Sequence, residues 1–198
     1  MNKKVALIFV GKSGCGKGTQ TELLQQYFEN QHMFNPLYIF TTSDNLRAIL
    51  EGSSFAKDKC KVVMKSGGLL PNTFTISAFA RGMLENMAED TSLIVDGYAR
   101  SVPQAESLTM ICQFLDFTEL IVIDLDTTDD EVINRMKLRG RSDDTDAGIT
   151  ARMAFYQNDV MPAIEYFKNN PFCKYYKIDG NNAIPKVHED IISTVSFK

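Results

Sequence analysis

The most constraining feature of this 198-residue chain is a ten-residue loop that contains four glycines and two lysines. It reads Gly-Lys-Ser-Gly-Cys-Gly-Lys-Gly-Thr-Gln over residues 11–20, between a buried-strand pattern at residues 5–10 and an amphipathic helix pattern at residues 19–30. Glycines let consecutive backbone N–H groups turn toward a ligand, and the following helix directs the positive end of its dipole to the same point. Lys17 adds a full positive charge. The order of strand, loop and helix therefore predicts a phosphate-binding site.

The loop departs from the general pattern G-x-x-x-x-G-K-[ST] at one position. Gly18 stands where a Ser or Thr hydroxyl would hold Mg²⁺, and Thr19 follows one residue later. This Gly-Lys-Gly-Thr variant points away from GTPases and motor proteins. The alternative is a glycine-rich turn without a ligand, which the flanking strand and helix and the position of Lys17 disfavour.

The composition indicates one globular domain and argues against several classes of partner. Apolar residues make up 44% of the chain and charged residues 23%, as in ordinary globular proteins. The length suffices for one well-buried domain but not for two large ones. A net charge of −4 gives no general attraction to nucleic acid or to anionic lipid. We therefore expect small-molecule partners, with no nucleic-acid partner and no membrane partner.

Cysteine usage predicts neither a zinc site nor a disulfide framework. The four cysteines are far apart, form no Cys-x-x-Cys pair and accompany only two histidines. Cys15, in the loop, is the thiol that we expect to be exposed. The first apolar run is too short for a signal peptide, and no segment approaches the roughly eighteen apolar residues of a membrane-spanning helix. We expect a cytoplasmic protein with reduced thiols.

Strand and helix patterns alternate along the chain. Besides the first strand, the apolar runs predict strands at residues 37–40, 92–96, 120–125 and 175–178. Helices are predicted between them, including a long helix that begins at Ser142-Asp143-Asp144 and runs to about Lys168. Alternation of this kind predicts an α/β fold, in which a five-stranded parallel sheet is covered by helices on both faces and binds ligands at its carboxyl edge.

Two groups of charged residues are candidates for phosphate chemistry. Asp96 ends a predicted strand and Arg100 follows it, so both are expected beside the loop that contains Lys17. A carboxylate at this place can hold a nucleotide-bound Mg²⁺, and its alternative role is to cap the next helix. The second group is four arginines around an interruption at Gly140, namely Arg135, Arg139, Arg141 and Arg152.

These arginines would repel one another without an anion between them. A triphosphate is one candidate, because the guanidinium group forms two parallel hydrogen bonds with phosphate oxygens. The alternative is a network of ion pairs with Asp143 and Asp144.

Taken together, these stretches resemble the adenylate kinases, which are nucleoside monophosphate kinases of the P-loop NTPase type. The resemblance runs from Val5 to about Val187, and its motifs occur in the order that the family has. They are Gly-Lys-Gly-Thr-Gln at 16–20, Thr-Ser-Asp-Asn-Leu-Arg at 42–47, residues 67–71, Asp-Gly-Tyr-Ala-Arg at 96–100 with Gln104, Arg-Ser-Asp-Asp at 141–144, Arg152, and Ile-Asp-Gly at 178–180. The resemblance implies one kinase domain over residues 1–198, with a nucleoside-monophosphate-binding flap at about 41–70 and a very short lid at about 139–146.

The family's activity would be a reversible, Mg²⁺-dependent phosphoryl transfer from ATP to AMP that gives two ADP. The resemblance assigns catalysis to Lys17, Asp96, Arg100, Arg139, Arg141 and Arg152. It assigns ATP binding to Gly11, Ser13, Gly14, Cys15, Gly16, Lys17, Gly18, Thr19, Arg135 and Gly180. It assigns AMP binding to Thr42, Arg47, Leu69, Leu70, Gly97, Arg100 and Gln104. Asp96 would hold the water shell of Mg²⁺, and no zinc is expected.

The sequence departs from the family pattern at several places, of which three matter here. Ala99 stands where proline is usual, so the turn before Arg100 is expected to be less rigid or of another shape. Asn72 replaces a common aspartate, with little expected effect. Gly140 is followed at once by Arg141, where short-lid relatives insert a few residues. Because so short a lid would shield the site less well, we expect measurable ATP hydrolysis without an acceptor.

Two other functions compete with this interpretation. A pyrimidine nucleoside monophosphate kinase would share the fold and the arginines, but Thr42 with Gln104 favours adenine, because a glutamine amide offers a donor and an acceptor together. A non-catalytic nucleotide-binding module could lack several of these arginines, whereas this chain has all of them. We expect a monomer.

Overall fold

The computed structural model describes residues 4–65, 68–141 and 144–197. Five parallel strands form one sheet in the order β2-β3-β1-β4-β5, which confirms the predicted α/β fold. The strands are β1 (Ala6–Val10), β2 (Leu37–Thr41), β3 (Ser92–Asp96), β4 (Leu120–Asp126) and β5 (Cys173–Asp179).

Helices connect the strands and cover both faces of the sheet. They are α1 (Lys17–Asn30), α2 (Thr42–Ile49), α3 (Phe55–Lys65), α4 (Asn72–Asn86), α5 (Val102–Phe114), α6 (Asp129–Arg139), α7 (Asp146–Phe155), α8 (Met161–Asn169) and α9 (Ile184–Val195). Among the residues that the structure describes, none of these helices is long and apolar enough to cross a membrane.

The central strand β1 is apolar throughout because helices cover it on both sides. Ile8 and Val10 belong to one buried cluster, which includes residues of α4, α5 and α8. Leu7 and Phe9 belong to the other, which includes residues of α1, α6 and α9. Successive side chains of a strand point to opposite faces, so a strand buried on both faces reads as an unbroken apolar run.

The predicted long helix toward Lys168 is present as α7, a π-helical turn and α8, which follow one another without a break. Ser142 and Asp143, where we expected it to begin, lie outside the described residues. The Thr145 hydroxyl caps α7 by accepting a hydrogen bond from the backbone N–H of Gly148 at 3.1 Å. A π-helical turn, Tyr156–Val160, then separates α7 from α8. Pro162, which has no backbone N–H, lies in the first turn of α8, so the hydrogen-bond pattern departs from that of a regular α-helix here while the backbone stays helical.

The segment predicted as a flap contains α2 and α3, and its Ser66 and Gly67 lie outside the described residues. Helix α3 buries Cys60, whereas Phe55 and Val62 are 86% and 69% exposed. In contrast, α4 packs Phe79 and Met83 into the main core. The loosely packed part of this region therefore ends before α4. The predicted limits of the flap and of the lid remain predictions.

Candidate active site

A cleft of about 2220 Å³ opens at the carboxyl edge of the sheet. It is lined by the glycine loop after β1, the start of α2, the segment after β3, the arginines of α6 and α7, and the turn after β5. All the residues that the sequence predicted to bind nucleotide or to act in catalysis border it. They are Gly11, Ser13, Gly14, Cys15, Gly16, Lys17, Gly18, Thr19, Thr42, Arg47, Leu69, Leu70, Asp96, Gly97, Arg100, Gln104, Arg135, Arg139, Arg141, Arg152 and Gly180. Their individual roles stay predictions.

The glycine loop is pressed against the structure beneath it. Gly11 has φ +130°, and a Cβ added there would lie 2.8 Å from the carbonyl oxygen of Leu125. Gly14 has φ +85°, and its Cβ would lie 3.0 Å from the carbonyl oxygen of Val132. The backbone conformation and the close contact both require glycine at these two positions. The loop therefore has one defined shape, held between the end of β4 and α6.

Lys17 is the first residue of α1, and its side chain folds back over the loop. Its Nζ donates hydrogen bonds to the carbonyl oxygens of Gly11 and Lys12, each at 2.8 Å, and lies 3.5 Å from the Sγ of Cys15. The expectation that Cys15 is an exposed thiol is wrong. This residue is 2% exposed, because its side chain packs into the core under the loop.

The second lysine of the loop, Lys12, has a different position. Its Nζ pairs with Asp129 at 2.5 Å and donates to the carbonyl oxygen of Thr127 at 2.7 Å. It also lies over the ring of Tyr156. Lys12 therefore links the loop to the segment after β4 and to the start of α6. Helix α6 carries Arg135 and Arg139.

Asp96 ends β3 beside the glycine loop. A Cβ added to Gly18 would lie 3.9 Å from its Oδ2. Burial raises the pKa of Asp96, while the positive charges of Lys17 and Arg100 oppose that shift. In the described part of the chain, no group of three or more His, Cys, Asp or Glu side chains could hold a metal ion. Since Mg²⁺ in kinases is bound through one or two carboxylates, water and substrate phosphates, Asp96 fits an ion that arrives with a nucleotide.

Two of the arginines around Gly140, Arg139 and Arg152, converge on Asp144, whose side chain is 1% exposed. The Asp144 carboxylate accepts two hydrogen bonds from Arg139, at 2.7 and 3.0 Å, and one from Arg152 at 2.5 Å. It also accepts from the backbone N–H of Arg141 at 3.0 Å. These hydrogen bonds, that of Arg139 foremost, hold the pKa of Asp144 well below its usual range. The ion pairs with Asp144 that the sequence suggested are therefore present, and their arginines line the cleft as well, while Asp143 lies outside the described residues.

Arg135 lies one turn earlier on α6 and makes other contacts. Its Nε donates to Glu131 at 2.7 Å, and a terminal nitrogen donates to the carbonyl oxygen of Cys15 at 3.4 Å. At the next strand end, Gly180 packs so tightly that an added Cβ would lie 2.2 Å from the Oγ1 of Thr127. The turn after β5 therefore packs closely against the end of β4, which position 180 allows because it has no side chain.

The predicted acceptor residues come partly from the flap and partly from the core. Arg47 of α2 has a side chain that is 69% exposed and pairs with Asp44 at 2.5 Å. Leu69 is 53% exposed. The Thr42 hydroxyl lies 3.5 Å from the carbonyl oxygen of Asp96, which connects the start of α2 to the end of β3.

The turn that aims Arg100 has a shape that proline cannot adopt. Ala99 has φ +54°, whereas the proline ring holds φ near about −65°. Of the two expectations for this turn, another shape is therefore the one observed. The Nε of Arg100 donates to the carbonyl oxygen of Gly97 at 2.9 Å, which closes the turn.

Sequence reasoning missed Ser101 and the role of Asn72. Both border the cleft, and both are hydrogen-bonded in a network with Gln104. The available signal was that Asn72 directly follows the 67–71 motif. Its contacts with residues about thirty positions away could not be read from that motif.

The sequence also matches known proteins over most of its length. The sequence model of one protein family, Adenylate kinase, matches residues 9–172. The Adenylate kinase of Oenococcus oeni is 30% identical over 191 residues, which cover 96% of this chain and 97% of that protein. The Adenylate kinase 1 of Nostoc sp. is 30% identical over 189 residues, covering 96% and 97%. The Adenylate kinase of Prochlorococcus marinus strain AS9601 is 31% identical over 176 residues, covering 89% and 91%.

Proposed function

Because this chain belongs to the adenylate kinase family, we propose that it transfers the terminal phosphoryl group of ATP to AMP and gives two molecules of ADP. The reaction is reversible, and the enzyme is an ATP:AMP phosphotransferase. The relatives named above are all adenylate kinases, which favours AMP over a pyrimidine nucleotide as the acceptor.

The single observation that carries this proposal is one cleft bordered by both sets of predicted residues. Its volume of about 2220 Å³ exceeds the roughly 300–1,000 Å³ of an ordinary site for one small molecule. A phosphoryl transfer between two nucleotides needs both of them in one cavity. The size of the cleft and the composition of its walls support that arrangement.

On the donor side, the glycine loop would bind the ATP phosphates. The backbone N–H groups of residues 11–19 and the amino end of α1 are suited to anions. Lys17 would leave the carbonyl oxygens of the loop and bridge the transferring phosphoryl group. Arg135 would stack on the donor base, and the backbone at Gly180 would contact the adenine.

Asp96 would hold Mg²⁺ through its water shell. When bound with ATP, this ion supplies charge neutralisation on the phosphate oxygens. The ion would also offset the burial that raises the pKa of Asp96, and so favour the charged carboxylate.

On the acceptor side, flap and core residues would share the binding of AMP. Arg47 and Arg100 would clamp its phosphate, because a guanidinium group pairs with two phosphate oxygens at once. Thr42 and Gln104 would face the adenine. The remaining residues, Leu69, Leu70 and Gly97, would line the base and ribose.

Transfer would then need no covalent intermediate and no strong general base. Holding the two nucleotides in line removes much of the entropic barrier before the reaction. Negative charge spreads over the migrating group, and preoriented cations stabilise it. Arg139, Arg141 and Arg152 would supply that stabilisation together with Arg100. Asp144 keeps two of these guanidinium groups at fixed positions through its hydrogen bonds.

Water must be kept away from the phosphoryl group, since it would otherwise compete with AMP. We propose that the flap at about 41–70 and the lid at about 139–146 close over the cleft. The exposed side chains of α3 support a mobile flap, because a thinly packed element can move without loss of a large core.

We also propose that the enzyme is a cytoplasmic monomer with ATP and AMP as its partners. All the proposed site residues line one cleft of this chain, which supports a monomer. The four cysteines are free, as is usual in a reducing compartment. Size-exclusion chromatography with light scattering tests the monomer, since an obligate dimer would contradict it.

The function is tested by a coupled assay of ADP release with ATP and Mg²⁺ and each of AMP, CMP, UMP and GMP. We expect AMP to be the preferred acceptor, with two ADP formed for each ATP consumed. Preference for CMP or UMP would overturn the assignment of the acceptor. A bisubstrate adenosine polyphosphate should bind once per chain and protect residues on both sides of the cleft in an NMR titration. Protection confined to the glycine loop would contradict a two-nucleotide site.

A further inference from the structure

Asn72, the first residue of α4, is hydrogen-bonded to two residues at the start of α5. Its Oδ1 accepts from the Nε2 of Gln104 at 2.7 Å and from the Oγ of Ser101 at 2.9 Å. Gln104 and Ser101 are 7% and 9% exposed, and all three residues border the cleft. Leaving a buried polar group without its hydrogen-bond partner costs free energy, so this network holds the Gln104 side chain in place.

The direction of the network is determined by a backbone group. The N–H of Arg100 can only donate, so the atom of the Gln104 amide that lies 3.1 Å away must be the oxygen. The amide nitrogen then points to Asn72, and since it can only donate, the facing atom of Asn72 must be its oxygen. If the Gln104 amide were turned around, its nitrogen would face the donor N–H of Arg100 and its oxygen would face the acceptor oxygen of Asn72.

A fixed amide presents its remaining hydrogen-bonding positions in a fixed order. The Gln104 nitrogen keeps a second hydrogen, and the oxygen keeps a second lone pair. Adenine carries an amino donor at position 6, whereas hypoxanthine carries an acceptor oxygen there, as guanine does. A fixed amide can tell these two bases apart. An amide that rotates freely can pair with either.

We propose that Asn72 is a positioning residue for the choice of acceptor, because it holds the Gln104 amide in the orientation that favours AMP over IMP. This inference rests on the proposed function, in which Gln104 faces the acceptor base. Asn72 itself need not touch the nucleotide. The network needs one acceptor oxygen from position 72, which aspartate also has and leucine, of similar size, lacks.

The test compares AMP and IMP as acceptors for the intact enzyme at saturating ATP and Mg²⁺. In Asn72→Leu, the ratio of kcat/KM for AMP to that for IMP should fall about tenfold, as expected for one buried hydrogen bond. The loss should be mainly a higher KM for AMP, while kcat at saturating AMP is retained. Asn72→Asp should keep the wild-type ratio within about twofold, because its carboxylate still accepts from Gln104 and Ser101.

A matched control is Asn86→Ala, at the other end of the same helix. The side-chain nitrogen of Asn86 donates to the carbonyl oxygen of Gly82 at 2.9 Å, so its loss weakens α4 without touching the network. This variant should keep the AMP to IMP ratio. An equal fall of the ratio in Asn86→Ala would show that loss of helix stability is the cause, and would overturn the proposal.

A double-mutant cycle separates positioning from a general structural effect. In a Gln104→Ala background the amide is gone, so adding Asn72→Leu should leave the AMP to IMP ratio unchanged. A further fall in that background would overturn the proposal. If Asn72→Leu does not fold, Ser101→Ala takes its place. It removes one of the two donors to Asn72 and should lower the ratio about twofold to threefold.

The possible results separate this inference from the proposed function. If the wild type phosphorylates AMP and Asn72→Leu or Ser101→Ala keeps the wild-type ratio, the role of Asn72 is overturned and the function stands. If Asn72→Asp behaves like Asn72→Leu, an acceptor oxygen at position 72 is not what matters, and the proposal fails. If the wild type does not phosphorylate AMP at all, the function and the inference are overturned together.

Discussion

The two ends of the cleft are built in different ways. The donor half comprises the glycine loop, α6, α7 and Asp144, and two of its arginines have a fixed partner. Arg139 and Arg152 share the buried Asp144 carboxylate. The acceptor half comprises α2, α3, residues 68–71 and the start of α5. Its Arg47 is largely exposed and pairs with Asp44 on its own helix.

This difference shows where preorganisation and movement are needed. Electrostatic stabilisation of a phosphoryl group works best when the cations are already in position, because no reorganisation is then required during transfer. The acceptor must enter, be recognised and be enclosed, which a thinly packed element allows. Gln104 is the exception on the acceptor side, since its amide is hydrogen-bonded to the Arg100 N–H and to Asn72.

The sharpest test of the comparison is Arg100→Ala, which removes a catalytic cation that, by the resemblance, clamps the acceptor phosphate. By analogy with arginine fingers, we expect transfer to fall by about 10³–10⁵. ATP affinity should stay nearly intact, because the donor half is unchanged. The measurements are the coupled ADP assay and calorimetric titration with ATP.

Arg81→Ala is the matched control for that variant. Arg81 pairs with Glu85 on the exposed side of α4 at 2.6 Å, so this change removes a guanidinium group far from the proposed chemistry. It should leave turnover at the wild-type level. Unchanged turnover in Arg100→Ala would contradict its assignment, and a parallel loss of ATP affinity would contradict the separation of the two halves.

The second test breaks the donor half at Asp144. Asp144→Asn removes the charge that holds Arg139 and Arg152, and we expect kcat to fall by about ten- to a hundredfold, the size of one buried charged hydrogen-bond network. Asp146→Asn is the control, because Asp146 is exposed and pairs with Lys137 at 3.2 Å. Wild-type turnover in Asp144→Asn would show that the arginines need no such anchor.

The same variant has a defined pH dependence. Because hydrogen bonds lower the pKa of Asp144 in the folded state, its stabilising contribution is fully present above the ordinary pKa of aspartate, about 3.9. It is lost as the pH falls through the lower folded-state pKa. The wild type should therefore melt above Asp144→Asn at about pH 7, and the difference in Tm should shrink below about pH 4. A difference that grows in acid would contradict this account.

The third test concerns the tight packing of Gly180 against Thr127. An added Cβ would lie 2.2 Å from the Thr127 Oγ1, so Gly180→Ala should lower the free energy of unfolding by about 1–3 kcal/mol and raise the KM for ATP. Thr127→Ala should rescue the variant, since that hydroxyl is buried without a hydrogen-bond partner among the described residues. Denaturant unfolding measures the effect, and an absence of rescue would show that the contact is not its cause.

The smallest expected effect is at the lid. With Arg141 directly after Gly140, we expect ATP hydrolysis without AMP at more than a few per cent of the transfer rate. Phosphate release is measured with ATP and Mg²⁺ alone, and inhibition by the bisubstrate analogue shows that the activity belongs to this site. A background below that level would contradict this prediction. It would mean that water is kept from the donor phosphates even when no AMP is bound.

Local patterns predicted the secondary structure around the glycine loop well. The order of β1, loop and α1 follows from an apolar run, glycines and an amphipathic stretch that are adjacent in the chain. Pro103 lies in the first turn of α5, where a missing N–H costs nothing, so the start of that helix could also be predicted. The predicted long helix toward Lys168 is present, and its π-helical turn before Pro162 is the feature that the sequence pattern did not predict.

The sequence by itself determined the fold class, the loop and the set of cations, because each of these depends on residue types and on spacing along the chain. Only the tertiary structure decided that the Lys12 side chain binds the carbonyl oxygen of Thr127, that Cys15 is buried, that Asp144 joins Arg139 to Arg152, and that Asn72 is hydrogen-bonded to Gln104. The physical reason is that a hydrogen bond or a buried contact depends on which elements meet in space. Spacing along one segment carries no information about the partner that another segment supplies.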